Sequence, residues 1–94
     1  MQEVISPKTT ENIEPVAVQK KLYKIIVLND DVNTFDWVIE SLVDILDHKV
    51  EQAEQCAYII HYNGKCVVKS GELAKLKPLR EGLTDRGIHA IIED

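Results

Sequence analysis

The sequence predicts an α+β domain whose elements run β-α-α-β-α-β, with the helices layered on one face of a small sheet. Three observations point there. Leu22 to Leu28 is a β-branched and aromatic run long enough for a strand. Phe35, Val38, Ile39, Leu42, Ile45 and Leu46 then recur at i, i+3, i+4, i+7, i+10 and i+11, the stripe of an amphipathic helix. At 94 residues, 45% apolar and 29% charged, the chain has room for one domain, in which a helix and a sheet each bury one apolar side against the other.

The first strand stops at Asn29-Asp30-Asp31, and the first helix is expected to start from Asn33 as N-cap with Asp36 three residues on. After the polar break Asp47-His48-Lys49, a second helix from about Glu51 places Val50, Ala53, Cys56, Ala57 and Ile60 on one side. It ends at Asn63-Gly64, with His61 in its last turn. Lys65 to Lys69 reads as a short strand. Pro78 suits the first turn of a third helix, Pro78 to Arg86, which turns Leu79 and Leu83 to the core and ends at Gly87; Ser70 to Lys77 then forms an irregular connection. Ile88 to Ile92 is the closing strand. Residues 1–20 carry Pro7 and Pro15 and no apolar period, so they read as a flexible N-terminal tail, leaving 21–94 as the core domain.

Charge narrows the function. Eleven Lys plus Arg against sixteen Asp plus Glu give a net charge of -5, and the basic clusters Lys20-Lys21 and Lys75-Lys77 are short. Nucleic-acid binding by counterion release needs a basic stripe, so DNA, RNA and anionic membranes are not expected partners. Residues 1–16 hold no apolar stretch and no run approaches membrane length, so no secretory leader or membrane span is expected, and the cytoplasm is the expected location. Cys56 and Cys66 lack Cys-x-x-Cys spacing and read as reduced, buried core residues. There is no nucleophile in a recognisable setting and no Gly-rich phosphate loop, and His48 and His89 do not lie at metal-ligand spacing from His61. No enzyme, cofactor or metal is expected.

Two features remain. Asn29, Asp30 and Asp31 stand on an exposed connection, where such residues either close a turn with their own backbone or present functional groups. His61 either complements the helix dipole or offers a ring nitrogen to a ligand.

Tyr23 to Asp31, Phe35-Asp36-Trp37-Val38-Ile39 and Ile60-His61-Tyr62-Asn63-Gly64-Lys65 resemble the ClpS adaptor family. The pairing of Asn-Asp-Asp with His-Tyr-x-Gly-Lys about thirty residues on is far more specific than either half. The resemblance spans about residues 22 to 94. It implies three antiparallel strands packed on three helices, a fold similar to the C-terminal domain of the ribosomal stalk protein. It also implies an N-degron adaptor of the N-end rule, which binds substrates with N-terminal Phe, Tyr, Trp or Leu and delivers them to a Clp-type AAA+ unfoldase and its peptidase. A monomer is expected. The residues matching the amine-binding groups are Asn29, Asp30 and His61; those matching the side-chain pocket are Asn33, Phe35, Ala57, Ile60 and Ile88. The chain departs from the family at Asn33-Thr34-Phe35, where Thr-Pro-Met is usual, and at Ala57, where a gating Met often stands. Its C-terminal part is also shorter than in many members. The alternative is a module that docks on a AAA+ machine without reading N-termini.

Overall fold

The computed structural model describes residues 21–94, and the expected tail, residues 1–20, lies outside them. The elements are β1 (Tyr23–Leu28), α1 (Phe35–Leu46), α2 (Val50–Asn63), β2 (Lys65–Gly71), α3 (Leu73–Asp85) and β3 (Ala90–Glu93). The predicted order and class hold. β1 is central, in the order β2-β1-β3, and pairs antiparallel with both neighbours. A central strand explains why its sequence is so continuously apolar: Ile25 and Val27 enter the helix-facing core, and Ile26 is buried on the other face. The core joins them to Leu42 and Leu46 of α1, Ala53 and Ile60 of α2, and Leu76 and Leu83 of α3. Gly82 lets α3 close on α1, because a Cβ there would meet Ile45 at 3.1 Å.

Several boundaries differ from expectation. The N-cap of α1 is Thr34, whose hydroxyl accepts the Trp37 backbone N–H at 3.1 Å, and the Asn33 side chain is engaged elsewhere. Val50 opens α2 with 52% of its surface exposed, not in the core where the sequence had placed it. Helix α3 begins at Leu73, five residues before Pro78, which lies inside it. The Leu73, Leu76, Leu79, Leu83 stripe carries the helix through the proline, whose missing N–H leaves only the Ala74 carbonyl four residues back without its helical donor. β2 runs on to Gly71, and β3 starts at Ala90 because the Ile88 N–H donates to the Leu83 carbonyl at 3.0 Å and so still belongs to the end of α3. Cys56 is buried while Cys66 is only partly covered, and both are free. Burial, reinforced by the Cys66 thiol beside it, pushes the Cys56 thiol up to about 11, which keeps it protonated at neutral pH.

A bulge in β2 passes Val68 over in the register, where Ile25 faces Lys69 and Ile26 faces Val67. The Val68 carbonyl receives the buried His48 ring at 2.8 Å, and because a carbonyl only accepts, Nε2 carries the proton. Nδ1 of His48 is buried with no partner. This contact pins the α1–α2 connection to the middle of β2, at the bulge.

Both helix ends near the sheet use left-handed residues, Asp47 (φ 59) after α1 and Gly64 (φ 92) after α2. A Cβ at Gly64 would meet nothing within 4 Å, so any loss on substitution is purely backbone strain. Gly64→Ala is expected to lower unfolding free energy by about 1 to 2 kcal/mol in urea titrations, and Gly64→Asn by less, because Asn tolerates this region better.

Candidate functional site

The site starts from one end of β1. The Leu28 N–H donates to the His89 carbonyl at 2.9 Å and the Asn29 N–H to the Gly64 carbonyl at 2.8 Å. Gly64 caps α2 through its own N–H to Ile60. The end of β1 is therefore tied to the last turn of α2, the turn that carries His61.

Beyond Asn29 the chain folds around one carboxylate. Asp30 Oδ1 accepts the backbone N–H groups of Val32 and Asn33, each at 2.8 Å, and Oδ2 accepts the Asn33 side-chain amide at 2.8 Å. The Asn33 backbone N–H is the main reason that this carboxyl lies below the ordinary aspartate value. Partial burial opposes it, and the Val32 N–H, the Asn33 amide and His89 reinforce it. The second amide hydrogen of Asn33 goes to the Gly87 carbonyl at 2.8 Å, 54 residues along the chain. The turn reading of Asn29-Asp30-Asp31 is thus correct for Asp30, and it leaves capacity: a carboxylate oxygen takes about two donors, so Oδ2 retains one place.

Trp37 and Arg86 brace this loop from behind. Trp37 Nε1 donates to the Arg86 carbonyl at 3.0 Å, and the Arg86 guanidinium lies 5.1 Å from the indole centroid. The same guanidinium reaches Asp44 at 3.0 Å and the buried Ser41 hydroxyl at 3.4 Å. Residues 86 to 88 are thereby fixed against α1.

Between α1 and α2 an open groove of about 1100 Å³ runs from this loop to the start of α2. Asn29, Asp30 and His61 all line it, Asn29 and His61 exposed and Asp30 half-buried. Of the five residues matched to the side-chain pocket, Asn33, Phe35, Ala57 and Ile60 line the groove. Ile88 does not. It lines a crevice of about 10 Å³ that shares Asn29, Asp30, Asn33, Val38 and Ile60 with the groove, so it backs the groove's inner end. Ala57 and Ile60 are buried floor residues, whereas Phe35 stands on the rim.

The sequence reading missed several participants. Val38 and Ile39 belong to the α1 stripe assigned to the core but also face the groove. Phe35, His61, Tyr62 and Tyr58 form a closed circuit of edge-to-face rings, with centroids 4.5 to 6.5 Å apart. The groove lining holds five carboxylates, Asp30, Asp31, Asp36, Glu51 and Glu54, and His61 is its only basic side chain. Among the described residues no cluster of three or more His, Cys, Asp or Glu could hold a metal ion, and no helix is long and apolar enough to cross a membrane.

A small three-stranded sheet under three helices, with an aromatic-rimmed acidic groove at one end, defines the class of structure. Residues 18–89 match the family model for the ATP-dependent Clp protease adaptor protein ClpS. The ClpS adapter of Campylobacter jejuni strain 81-176 is 41% identical over 73 residues, covering 76% of this chain and 76% of its own. That of Escherichia coli O1:K1 is 33% identical over 69 residues, 71% of this chain and 65% of its own. Agrobacterium tumefaciens ClpS2, solved bound to L-phenylalaninamide, superposes with a TM-score of 0.76 at 23% identity over 80% of this chain and 98% of that one. The chain belongs to the ClpS family of Clp protease adaptors.

Two outcomes test the local architecture. Asp30 has a depressed folded-state pKa, so its contribution is complete above the unfolded value and fades as pH falls through the lower folded one. Asp30→Asn is expected to be less stable than wild type at pH 7, and the gap in urea titrations should narrow below about pH 4; a constant gap would contradict the charge-based role. Trp37→Phe keeps an aromatic ring, smaller than indole, but removes the Nε1 donor, and is expected to lose about 1 to 2 kcal/mol of stability.

Proposed function

We propose that this adaptor captures proteins by a free N-terminus and delivers them to a Clp-type AAA+ unfoldase. The observation that carries the reading is the Asn29 to Gly64 backbone bond. It brings the strand-end acceptors and the last turn of α2 to one groove whose other side is apolar. In this reading the α-ammonium donates to the free place on Asp30 Oδ2, to the Asn29 side-chain carbonyl and to a neutral His61 ring nitrogen. The bulky first side chain lies against Phe35, Ala57 and Ile60, with Asn33 and Ile88 at the inner end. The phenylalaninamide bound by the Agrobacterium relative has the matching chemistry, a free amine on an aromatic residue.

The energies suit a carrier that must release its load. Charge-assisted hydrogen bonds contribute about 1.5 to 3 kcal/mol each. Burying an aromatic side chain of about 150 to 250 Å² contributes about 4 to 6 kcal/mol. Set against an association cost of at least about 4 kcal/mol, the surplus is about 4.5 to 11 kcal/mol, a range centred near micromolar binding. An internal peptide nitrogen has one donor and no charge, so it leaves the acceptors unsatisfied. Ala57 is smaller than Met, which leaves the slot roomier for branched or double-ring side chains.

Fluorescence anisotropy with peptides varied only at the first residue tests this. Phe, Tyr, Trp and Leu peptides are expected to bind, and N-acetylation to abolish binding. Asp30→Ala and His61→Ala should each weaken it at least about tenfold, about 1.4 kcal/mol. Because Asp30 also holds its loop, His61→Ala, an exposed position, is the variant that separates binding from folding. Equal binding of the acetylated peptide would point to a docking module that does not read N-termini.

A further inference from the structure

The groove leaves two nucleophilic side chains unused. Cys56 lies on the core-facing side of α2, one turn before Ile60, and Cys66 lies in β2, two residues after Gly64. Cys66 stands opposite Val27, whose side chain enters the helix-facing core, so it points to the same face of the sheet, toward α2. The two thiols therefore meet under the helix, near enough for Cys66 to act as a hydrogen-bond partner of Cys56. Both are free.

Their surroundings differ. Cys56 keeps 9% of its surface exposed and belongs to the core, whereas Cys66 is half-buried on an edge strand of the order β2-β1-β3. An oxidant in solvent reaches Cys66 first. Burial, and after it the charge and hydrogen bond of Cys66, hold the proton on Cys56, so Cys56 is inert on its own. A sulfenic acid at Cys66 carries no charge, which removes one of those causes just as an electrophilic sulfur appears beside Cys56.

We propose that Cys56 and Cys66 are a peroxide-sensitive pair that closes to an intramolecular disulfide and clamps α2 onto β2, weakening capture in the groove. Hydrogen peroxide oxidises the Cys66 thiol to a sulfenic acid and releases one water. The Cys56 sulfur then attacks the Cys66 sulfur, the S–O bond breaks, and the departing hydroxide leaves with the Cys56 proton as a second water. Each sulfur gives up one electron overall, and both electrons pass to the peroxide oxygens. A dithiol reductant returns the pair to the free state, as in other transient, redox-sensing disulfides.

The groove is coupled to the pair through α2. Cys56 adjoins Ala57 on the groove floor, and the clamped end of the helix carries Ile60 and His61. A covalent bond holds two sulfurs closer than a non-bonded contact does, so closure draws α2 toward β2. The α1 side stays braced by Trp37 and Arg86, and the two walls shift relative to one another. The effect on capture rests on the N-terminal reading above; the disulfide does not.

The experiment treats the full chain with a slight excess of hydrogen peroxide and reads free thiols, intact mass and amide hydrogen exchange. Wild type is expected to stay a single chain, lose both thiols and two hydrogen atoms, exchange more slowly in α2, and revert with dithiothreitol. Cys66→Ser should leave Cys56 a free thiol, and Cys56→Ala should stop Cys66 at a sulfenic acid trapped by dimedone. Wild type that keeps its thiols, links chains together or gains oxygen at Cys66 instead overturns the pair, and unchanged exchange in α2 overturns the clamp. In anisotropy the oxidised form should bind an N-terminal Phe peptide at least about threefold more weakly than the reduced form, with Cys66→Ser unaffected by peroxide. Equal affinity of the two forms overturns the effect on capture. If the reduced protein does not bind this peptide, or binds its acetylated form as well, the N-terminal reading and the effect on capture both fall, while thiol loss and slowed exchange still decide the disulfide.

Discussion

The Asp30 carboxylate holds the turn after β1 through three hydrogen bonds, and through Asn33 that turn holds the loop in front of β3. Two chain segments more than fifty residues apart are thus joined by one side-chain amide with a hydrogen bond on each side. The brace behind them is equally concentrated. The Trp37 indole N–H donates to the Arg86 carbonyl and the Arg86 guanidinium lies over the indole ring, and Asp44 and Ser41 fix the guanidinium. The groove's inner end is therefore built on a short chain of polar contacts mounted on α1, not on apolar packing alone.

That arrangement suits a recognition site on so small a domain. An open groove removes apolar surface from the core, and a chain of this length buries only about 60 to 65% of what it exposes when unfolded. The compromise is visible in the helices. Ala57 and Ile60 serve the core and the groove floor together, while Phe35 and Tyr58 lean on one another at the rim rather than on the interior. Negative charge lines the same groove, so its surface is electrostatic as well as apolar in character.

The central strand and the first two helices were readable because their signals are local: a β-branched run, a 3.6-residue stripe, and Gly64 at a helix end. Where reading failed, a distant residue decided the outcome. Asn33 looked like a cap, yet its amide is claimed by Asp30 and by Gly87, and the cap fell to Thr34. Pro78 suggested a helix start, but the helix begins at Leu73, and Leu76 in the added turn is a buried core residue. Trp37 fell outside the stripe of α1, on a face with Ser41 and Asp44, and a lone large aromatic on a polar face was the available sign that another element covers it. Asn29, Asp30 and His61 could be singled out by residue type, and the resemblance paired them. Their approach to one groove depends on the strand-to-helix bond at Gly64, which no spacing encodes.

The double duty of Asp30 bears on how such an adaptor could diversify. A change at that position would alter the charge at the groove's inner end and release the turn that shapes it, two penalties from one substitution. The rim has no such burden: Glu54 and Tyr58 are exposed and bear little of the core. Sequence drift along the groove is therefore channelled to the helix α2 wall, with the turn after β1 held constant by the architecture it supports.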